Sequence, residues 1–437
     1  MKVVLLATET GPEAKKPKAL IKLCGIPLAK RLLYTLRAAG LRDVIVVTGP
    51  DGRAVREALG DGEGLGMRLA YLESEGSLPV KQLAPLLDGP FLVIEGNYVL
   101  DERIIERLAE GEGRAIAYDS GVEEGTQVAI EDGKVTALSP SAGAGAYVGA
   151  CRCSPEVLPL LEGRDWIASL ARAVRSFDFA ALDVATIEPY VAEIRRELPT
   201  SWYRIESQED AQRCKKMLVE GAQKRTLDVL AWYFNRHIEN WVAYRIADFP
   251  ITPNLMSVLT YGVAFLVTFL FLSGRLLPAS LLSFAVNVMD GLDGKLARVK
   301  GMATKLGQLE HSFDLLYEQS WYASLAWAAH RLRGDPLPLA LGLVALLFDS
   351  LARHISMQFR QVMGVALADY APFDRRFRRF DGRRNIYTIY ILLGVIFGAP
   401  FYALVAIAAH AIVTSAVYAW RAAKHLHAAD KGVVLLR

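Results

Sequence analysis

The sequence predicts an α/β domain over residues 1–220, a short juxtamembrane element over 221–252, and an all-α membrane domain over 253–437. Three observations predict this. Hydrophobic residues make up 52% of the 437, which is high for a purely soluble chain. They are unevenly spread: short apolar runs among charges come first, and long apolar segments follow from Leu255 onward. The stretch LMSVLTYGVAFLVTFLFLSG, starting at Leu255, carries no charge and is long enough to cross a bilayer.

In the first part, the strand-like runs VVLLAT, DVIVVTG, MRLAYLE and PFLVIEG alternate with helix-like stretches such as AKRLLYTLRAAG, the pattern of a parallel α/β sheet. MKVVLLATET reads as a strand and a polar loop, without the core and cleavage site of a secretory signal. Cys24, Cys151, Cys153 and Cys214 all fall in this half and are expected to stay reduced. Cys151 and Cys153 share one strand face, and with no second pair they make no zinc site.

RTLDVLAWYFNRHIENWVAYRIADFPITPN mixes aromatic and aliphatic residues with Arg225, Arg236 and Arg245. It reads either as a helix lying on the membrane surface or as a linker helix packed on protein. Thr252, Pro253 and Asn254 then open the first of six expected spans, which start near Leu255, Leu276, Leu306, Pro336, Asn385 and Pro400. Basic residues between spans two and three, between four and five, and in the tail share one side. That side is expected to be cytoplasmic, with the N-terminal domain on it. The net charge of +3 averages over this asymmetry, and no nucleic-acid partner is expected. His425 and His427 read as interfacial.

The chemistry is concentrated between Asp290 and Asp314, DGLDGKLARVKGMATKLGQLEHSFD, where acids stand beside apolar segments. Charge is costly there and marks a function. Asp290 and Asp293 are three apart, while Glu310, Asp314 and Glu318 follow at intervals of four, so each set shares a helix face. Two such faces would offer the hard oxygen donors that Mg²⁺, Mn²⁺ or Ca²⁺ prefer. Gly291 and Gly294 leave room for a substrate, and Arg298 offers a planar fork suited to phosphate. Together these residues suggest metal-assisted chemistry on a phosphate ester.

The run D-G-L-D-G-K-L-A-R, then eight residues, a glycine and two acids four apart resembles the motif of the CDP-alcohol phosphotransferases. Asp290, Asp293, Gly294, Ala297 and Arg298 match its first half. In the second half the acid after Gly307 arrives one residue early, as Glu310, and an ungapped match would fall on His311 and Leu315. One register takes Glu310 and Asp314 as the second pair and the competing register takes Asp314 and Glu318; the first is favoured because it keeps the pair close to Gly307.

The resemblance implies transfer of a phosphoalcohol from a CDP-alcohol to an acceptor hydroxyl with release of CMP, two divalent ions (Mg²⁺ or Mn²⁺), and a homodimer. It implies metal at Asp290, Asp293, Glu310 and Asp314, a general base at Asp314, and donor contacts at Gly294, Ala297 and Arg298. Arg383 and Arg384, opening the fifth span, are candidates for binding substrate phosphate, with positive-inside topology as the plain alternative. His311 reads as a non-ligand.

PKALIKLCGIPLAKRLLYTLRAAGLRDVIVVTG, starting at Pro17, is similar to nucleotidyltransferases that make sugar- or polyol-nucleotides. Where that family cradles triphosphate on a glycine-rich basic loop, this chain has Ala7, Thr8, Glu9, Thr10, Gly11 and Pro12. Asn97 replaces a metal-binding aspartate, and Arg204 replaces one of two acids around Tyr203 to Glu206. Lys18 and Lys22 survive, and Lys18 and Asn97 mark a vestigial nucleotide site. The whole layout resembles the bifunctional enzymes that make CDP-inositol and then di-inositol phosphate. CDP-diacylglycerol remains an alternative donor and inositol phosphate a candidate acceptor. The other readings are an active N-terminal cytidylyltransferase, a membrane transporter and an inactive membrane scaffold.

Overall fold

A computed structural model describes residues 1–10, 17–50, 52–74, 78–139, 143–163, 165–191, 194, 196–224, 228–303 and 306–432; within these, the side chains of 306, 308, 310 and 311 lie outside the description. Nine strands form one sheet: β1 (Lys2–Ala7), β2 (Asp43–Thr48), β3 (Arg68–Glu73), β4 (Phe91–Glu95), β5 (Ala115–Asp119), β6 (Gln127–Glu131), β7 (Lys134–Ser139), β8 (Ala146–Cys153) and β9 (Ala180–Asp183). Their spatial order is β3-β2-β1-β4-β8-β5-β9-β7-β6.

The four strands read from the sequence are the parallel half of this sheet, β3 to β4, with Val4 opposite Ile45 and Val93. β1, β2 and β4 read clearly because burial on both faces makes them almost continuously apolar, whereas β3 is half-exposed. The other half departs from the expected parallel layout. β8 runs antiparallel to both β4 and β5, and β6 and β7 pair antiparallel. Cys151 and Cys153 share a buried face of β8 with their sulfurs 3.7 Å apart.

Helix α1 (Leu28–Ala38) buries Leu28, Leu32, Leu33 and Leu36. Helix α2 (Gln208–Gly221) starts at a capping box in which Ser207 and Asp210 satisfy each other's backbone amides. A π-helical turn (231–235) that exposes Tyr233 and Phe234 leads into α3 (Arg236–Ile246), whose outer face exposes Trp241. Its inner face is buried, with Ala243 and Ala247 fully covered. The segment packs on protein with one side, as the linker reading expects, and bares aromatics on the other.

Six longer helices follow, α4 (Pro253–Leu272), α5 (Leu276–Lys300), α6 (Glu310–Arg333), α7 (Leu337–Met363), α8 (Arg384–Ile396) and α9 (Pro400–Asp430), with two short helical turns, Leu367–Tyr370 and Pro372–Phe377, between α7 and α8. Among the described residues, α4, α5, α7 and α9 are long and apolar enough to cross a membrane. The other two expected spans form helices without meeting that measure, α8 because it has only 13 residues and α6 because acids and arginines interrupt its apolar residues. The onset expected at Leu306 is a short 3-10 turn, and the α-helix starts at Glu310. Both helices pack into the bundle core, where Tyr317, Trp321, Tyr322, Tyr387 and Ile391 are fully buried.

The two halves share one apolar cluster: Leu23, Cys24, Leu28, Ile205, Cys214 and Val219 pack with Ala243, Met256, Leu292, Leu296 and Val299. Arg31, buried on α1, donates to the Val299 carbonyl at the end of α5 at 2.5 Å. Gly25 turns at φ +75°, and a Cβ there would stand 2.5 Å from the Asp248 carbonyl oxygen. His425 departs from its interfacial reading: it is 1% exposed, 2.8 Å from Asp374 and 3.0 Å from Arg421.

Candidate active site

Asp290 lies on α5 where α6 and α8 pack against it. It accepts from the Tyr317 hydroxyl at 3.1 Å and pairs with Arg384 Nη2 at 2.5 Å. Arg384 also contacts that hydroxyl and reaches Glu318 on α6 at 3.2 Å. Glu318 takes a second arginine, Arg353, which bonds Asp349 one turn earlier on α7 at 2.9 Å. Three carboxylates and two arginines thus alternate across four helices. Desolvating such charges is tolerable only because each is paired.

Asp293, 4% exposed, accepts from the Ser257 hydroxyl of α4 at 2.8 Å and from the Gly294 amide at 2.5 Å. Asp314 is half-buried one turn before Glu318. The Glu310 and His311 side chains lie outside the described residues. Gly294 and Ala297 are partly exposed, and a Cβ on Gly294 would sit 3.3 Å from Arg298 Nη1. Arg298 donates through Nε to the Ala222 carbonyl at 2.8 Å.

Arg384 therefore joins the acid cluster, whereas Arg383 turns away. Arg383 donates to Asp381 at 3.0 Å and lies beside Tyr418. Gly291 also differs from its expected role. A Cβ there would meet Glu239 Oε1 of α3 at 2.5 Å, so the missing side chain admits a carboxylate of the same chain in place of substrate. That carboxylate is held at 3.0 Å by Lys295, itself 1% exposed and bonded to Gln223 at 2.8 Å and Asn240 at 2.6 Å.

The sequence reading missed Glu239, Lys295, Ser257, Tyr317, Asp349 and Arg353. Asp349 and Arg353 could have been found, since an acid and a base four apart in an apolar helix must point at something.

The chemistry of the donors suits a hard cation. Asp290, Asp293 and Asp314 offer carboxylate oxygens from facing helices, although among the described residues no three ligating side chains converge as a metal site. Arg384 Nε, Asn385 Oδ1 and the Tyr322 and Tyr387 hydroxyls are buried polar atoms nearby without hydrogen-bond partners among the described residues. Buried polar groups are normally satisfied, so this surround suits water or a hydroxyl-rich substrate.

In the N-terminal domain, Lys18 pairs with Glu9 at 2.9 Å and with Glu206. Asn97 Nδ2 lies 3.4 Å from both acids, and Arg204 pairs with Glu206 at 2.6 Å. Burial lowers the Lys18 pKa, but its bonds to Glu206 and Glu9 outweigh burial and raise it overall. Glu95, behind this cluster, is pushed up to about 8 by burial and by repulsion from Glu9. Gly11 and Pro12 of the loop lie outside the described residues.

A helical bundle with this acid motif beside its junction with the α/β domain defines a class: residues 250–416 match the CDP-alcohol phosphatidyltransferase family, so that region is a CDP-alcohol phosphotransferase domain. The chain is a membrane transferase of that type, moving a phosphoalcohol from a CDP-alcohol to an acceptor hydroxyl with release of CMP.

More particularly, it is similar over nearly its whole length to two bifunctional IPC transferase and DIPP synthase proteins. That of Thermococcus kodakarensis is 23% identical over 88% of both chains. That of Rubrobacter xylanophilus is 25% identical over 90% of this chain and 89% of its own. Among solved structures, the inositol-1-phosphate CTP transferase from T. maritima aligns with 48% of this chain and 90% of its own at 15% identity and a TM-score of 0.39.

Proposed function

We propose that the donor is a CDP-polyol of the CDP-inositol type and the acceptor a phosphorylated polyol such as inositol phosphate, with CDP-diacylglycerol as the alternative donor. The observation that carries this reading is the set Asp290, Asp293, Gly294, Ala297 and Arg298 on one helix, with Arg384 of a neighbouring helix bonded to Asp290. The full-length similarity to the bifunctional relatives supports the polyol over the lipid donor.

In the proposed mechanism Asp290, Asp293, Glu310 and Asp314 would hold divalent ions, Mg²⁺ or Mn²⁺, which supply charge neutralisation at a diphosphate. Asp314 accepts the proton of the attacking hydroxyl, because an alcohol is a poor nucleophile until a base takes its proton. Arg298 neutralises the departing CMP, while Gly294 and Ala297 keep the nucleotide's place clear. Arg384, bonded to Asp290 in this structure, would turn its fork to substrate phosphate when that carboxylate holds a cation. Arg383 holds the start of α8 through Asp381. The Glu310 and Asp314 register is favoured over Asp314 and Glu318, because Glu318 is already neutralised by two arginines.

The N-terminal domain has lost nucleotidyl transfer. Glu9 and Glu206 occupy the ammonium of Lys18, where a triphosphate would need it, and Asn97 supplies a neutral oxygen where a carboxylate would hold metal. The division into 1–220, 221–252 and 253–437, the cytoplasmic side for the N-terminal domain, and a homodimer complete the proposal.

The deciding experiment gives purified protein Mg²⁺ or Mn²⁺, inositol phosphate, and CDP-inositol or CDP-diacylglycerol in turn. CMP release with the polyol donor is expected. Release with the lipid donor alone would select the alternative, and silence with both would favour a scaffold.

A further inference from the structure

Between α2 and α3, at the junction of the two halves, lies a cavity of about 560 Å³. Arg196, Lys224, Arg236 and His237 bring positive charge to its wall, against Glu197 and Glu220. Arg236 stands over the Trp232 ring at 4.3 Å, a contact that restrains its guanidinium at the cavity wall. Arg196 is steered by the Gln223 carbonyl at 3.5 Å. Among the described residues, neither Arg236 nor His237 is ion-paired. Concave and net positive in its side-chain charge, the cavity suits a small anion.

The same wall touches the motif helix. Gln223 and Asn240, which line the cavity, are two of the three groups that hold the buried Lys295 ammonium. Lys295 stands between Asp293 and Arg298 on α5.

We propose that this cavity binds a phosphate-bearing anion, a phosphomonoester or phosphodiester group, and conveys its occupancy to the motif helix through Lys295. The site is separate from the acid cluster and does not depend on which CDP-alcohol is the donor. The anion reaches it either as a free phosphate compound or as a lipid headgroup, since exposed Tyr233, Phe234 and Trp241 carry the same helix into an apolar surface.

The test uses the full chain in zwitterionic micelles, with glycerol 3-phosphate and inorganic phosphate as titrants in calorimetry. The double variant Lys224→Gln/Arg236→Gln should weaken binding about tenfold or more, and His237→Ala, at the exposed rim where packing is not at stake, should weaken it about threefold. Equal affinity in the wild type and all variants overturns the site. Titration in nanodiscs then separates the sources. Loss of the soluble titrant when phosphatidylglycerol replaces part of the phosphatidylcholine assigns the headgroup, and retention assigns the free phosphate. No binding of either titrant in any setting, with no preference for anionic lipid, also overturns it. For the coupling, amide exchange over residues 290–300 should slow on phosphate addition in the wild type only; unchanged exchange sinks that part.

Discussion

Asp314 and Glu318 stand one turn apart on α6 but face different surroundings. Glu318 is locked between Arg353 and Arg384, while Asp314 is half-buried. Asp314→Asn is therefore expected to lower CMP release by about 10²–10⁴-fold while nucleotide binding is largely kept, measured by turnover and equilibrium binding. Glu310→Gln should likewise depress turnover with little change in the thermal midpoint. Glu318→Gln should depress both, because it removes a buried charge from two arginines. Turnover lost on Glu318→Gln with unchanged stability, and kept on Glu310→Gln, would show that the register is Asp314 and Glu318. The sequence made the first half of this site legible because its residues lie within one helix at fixed intervals. The partners of Asp290 come from α6 and α8, and no local spacing announces a contact across 94 positions.

At the scale of the element, α5 is fixed at both of its faces. One face carries the acids, and the other inserts Lys295 between Glu239, Gln223 and Asn240. Lys295→Met leaves Glu239 as a buried carboxylate without its counter-ion and should destabilise the protein by about 3 kcal/mol or more. Glu239→Gln added to Lys295→Met should restore part of that loss, a coupling that a double-mutant cycle of thermal or denaturant unfolding would read. Equal losses in single and double variants would mean that the pair is not interacting. Lys295 occupies an unspecified position in the motif pattern, which assigns it no role; only the docking of α3 shows why an ammonium is needed there. The antiparallel half of the sheet was illegible for a similar reason. β6, β7 and β9 are short and half-exposed, and strands of that kind lack the unbroken apolar run that marked β1, β2 and β4.

For the whole molecule, stability should depend on pH through Glu95. Its folded-state carboxyl titrates near 8, above its ordinary value, so the folded chain holds a proton that the unfolded chain releases. Stability from this group is full below about pH 4 and falls as pH rises from there to about 8, by on the order of 4 kcal/mol in all. Glu95→Gln should flatten that part of the pH profile in denaturant unfolding of the N-terminal domain, and an unchanged profile would remove Glu95 as its cause. The domain should also leave CTP unconsumed when given inositol phosphate, whereas formation of CDP-inositol would restore the first activity. The apolar cluster that joins Leu23, Leu28 and Val219 to Leu292 and Val299 has a consequence for biosynthesis. The ribosome releases the N-terminal domain well before α5 exists, and until then this patch and Arg31 have no cover. The nascent chain must wait at the membrane with an unfinished core, and completing the soluble half depends on correct insertion of the helices that follow.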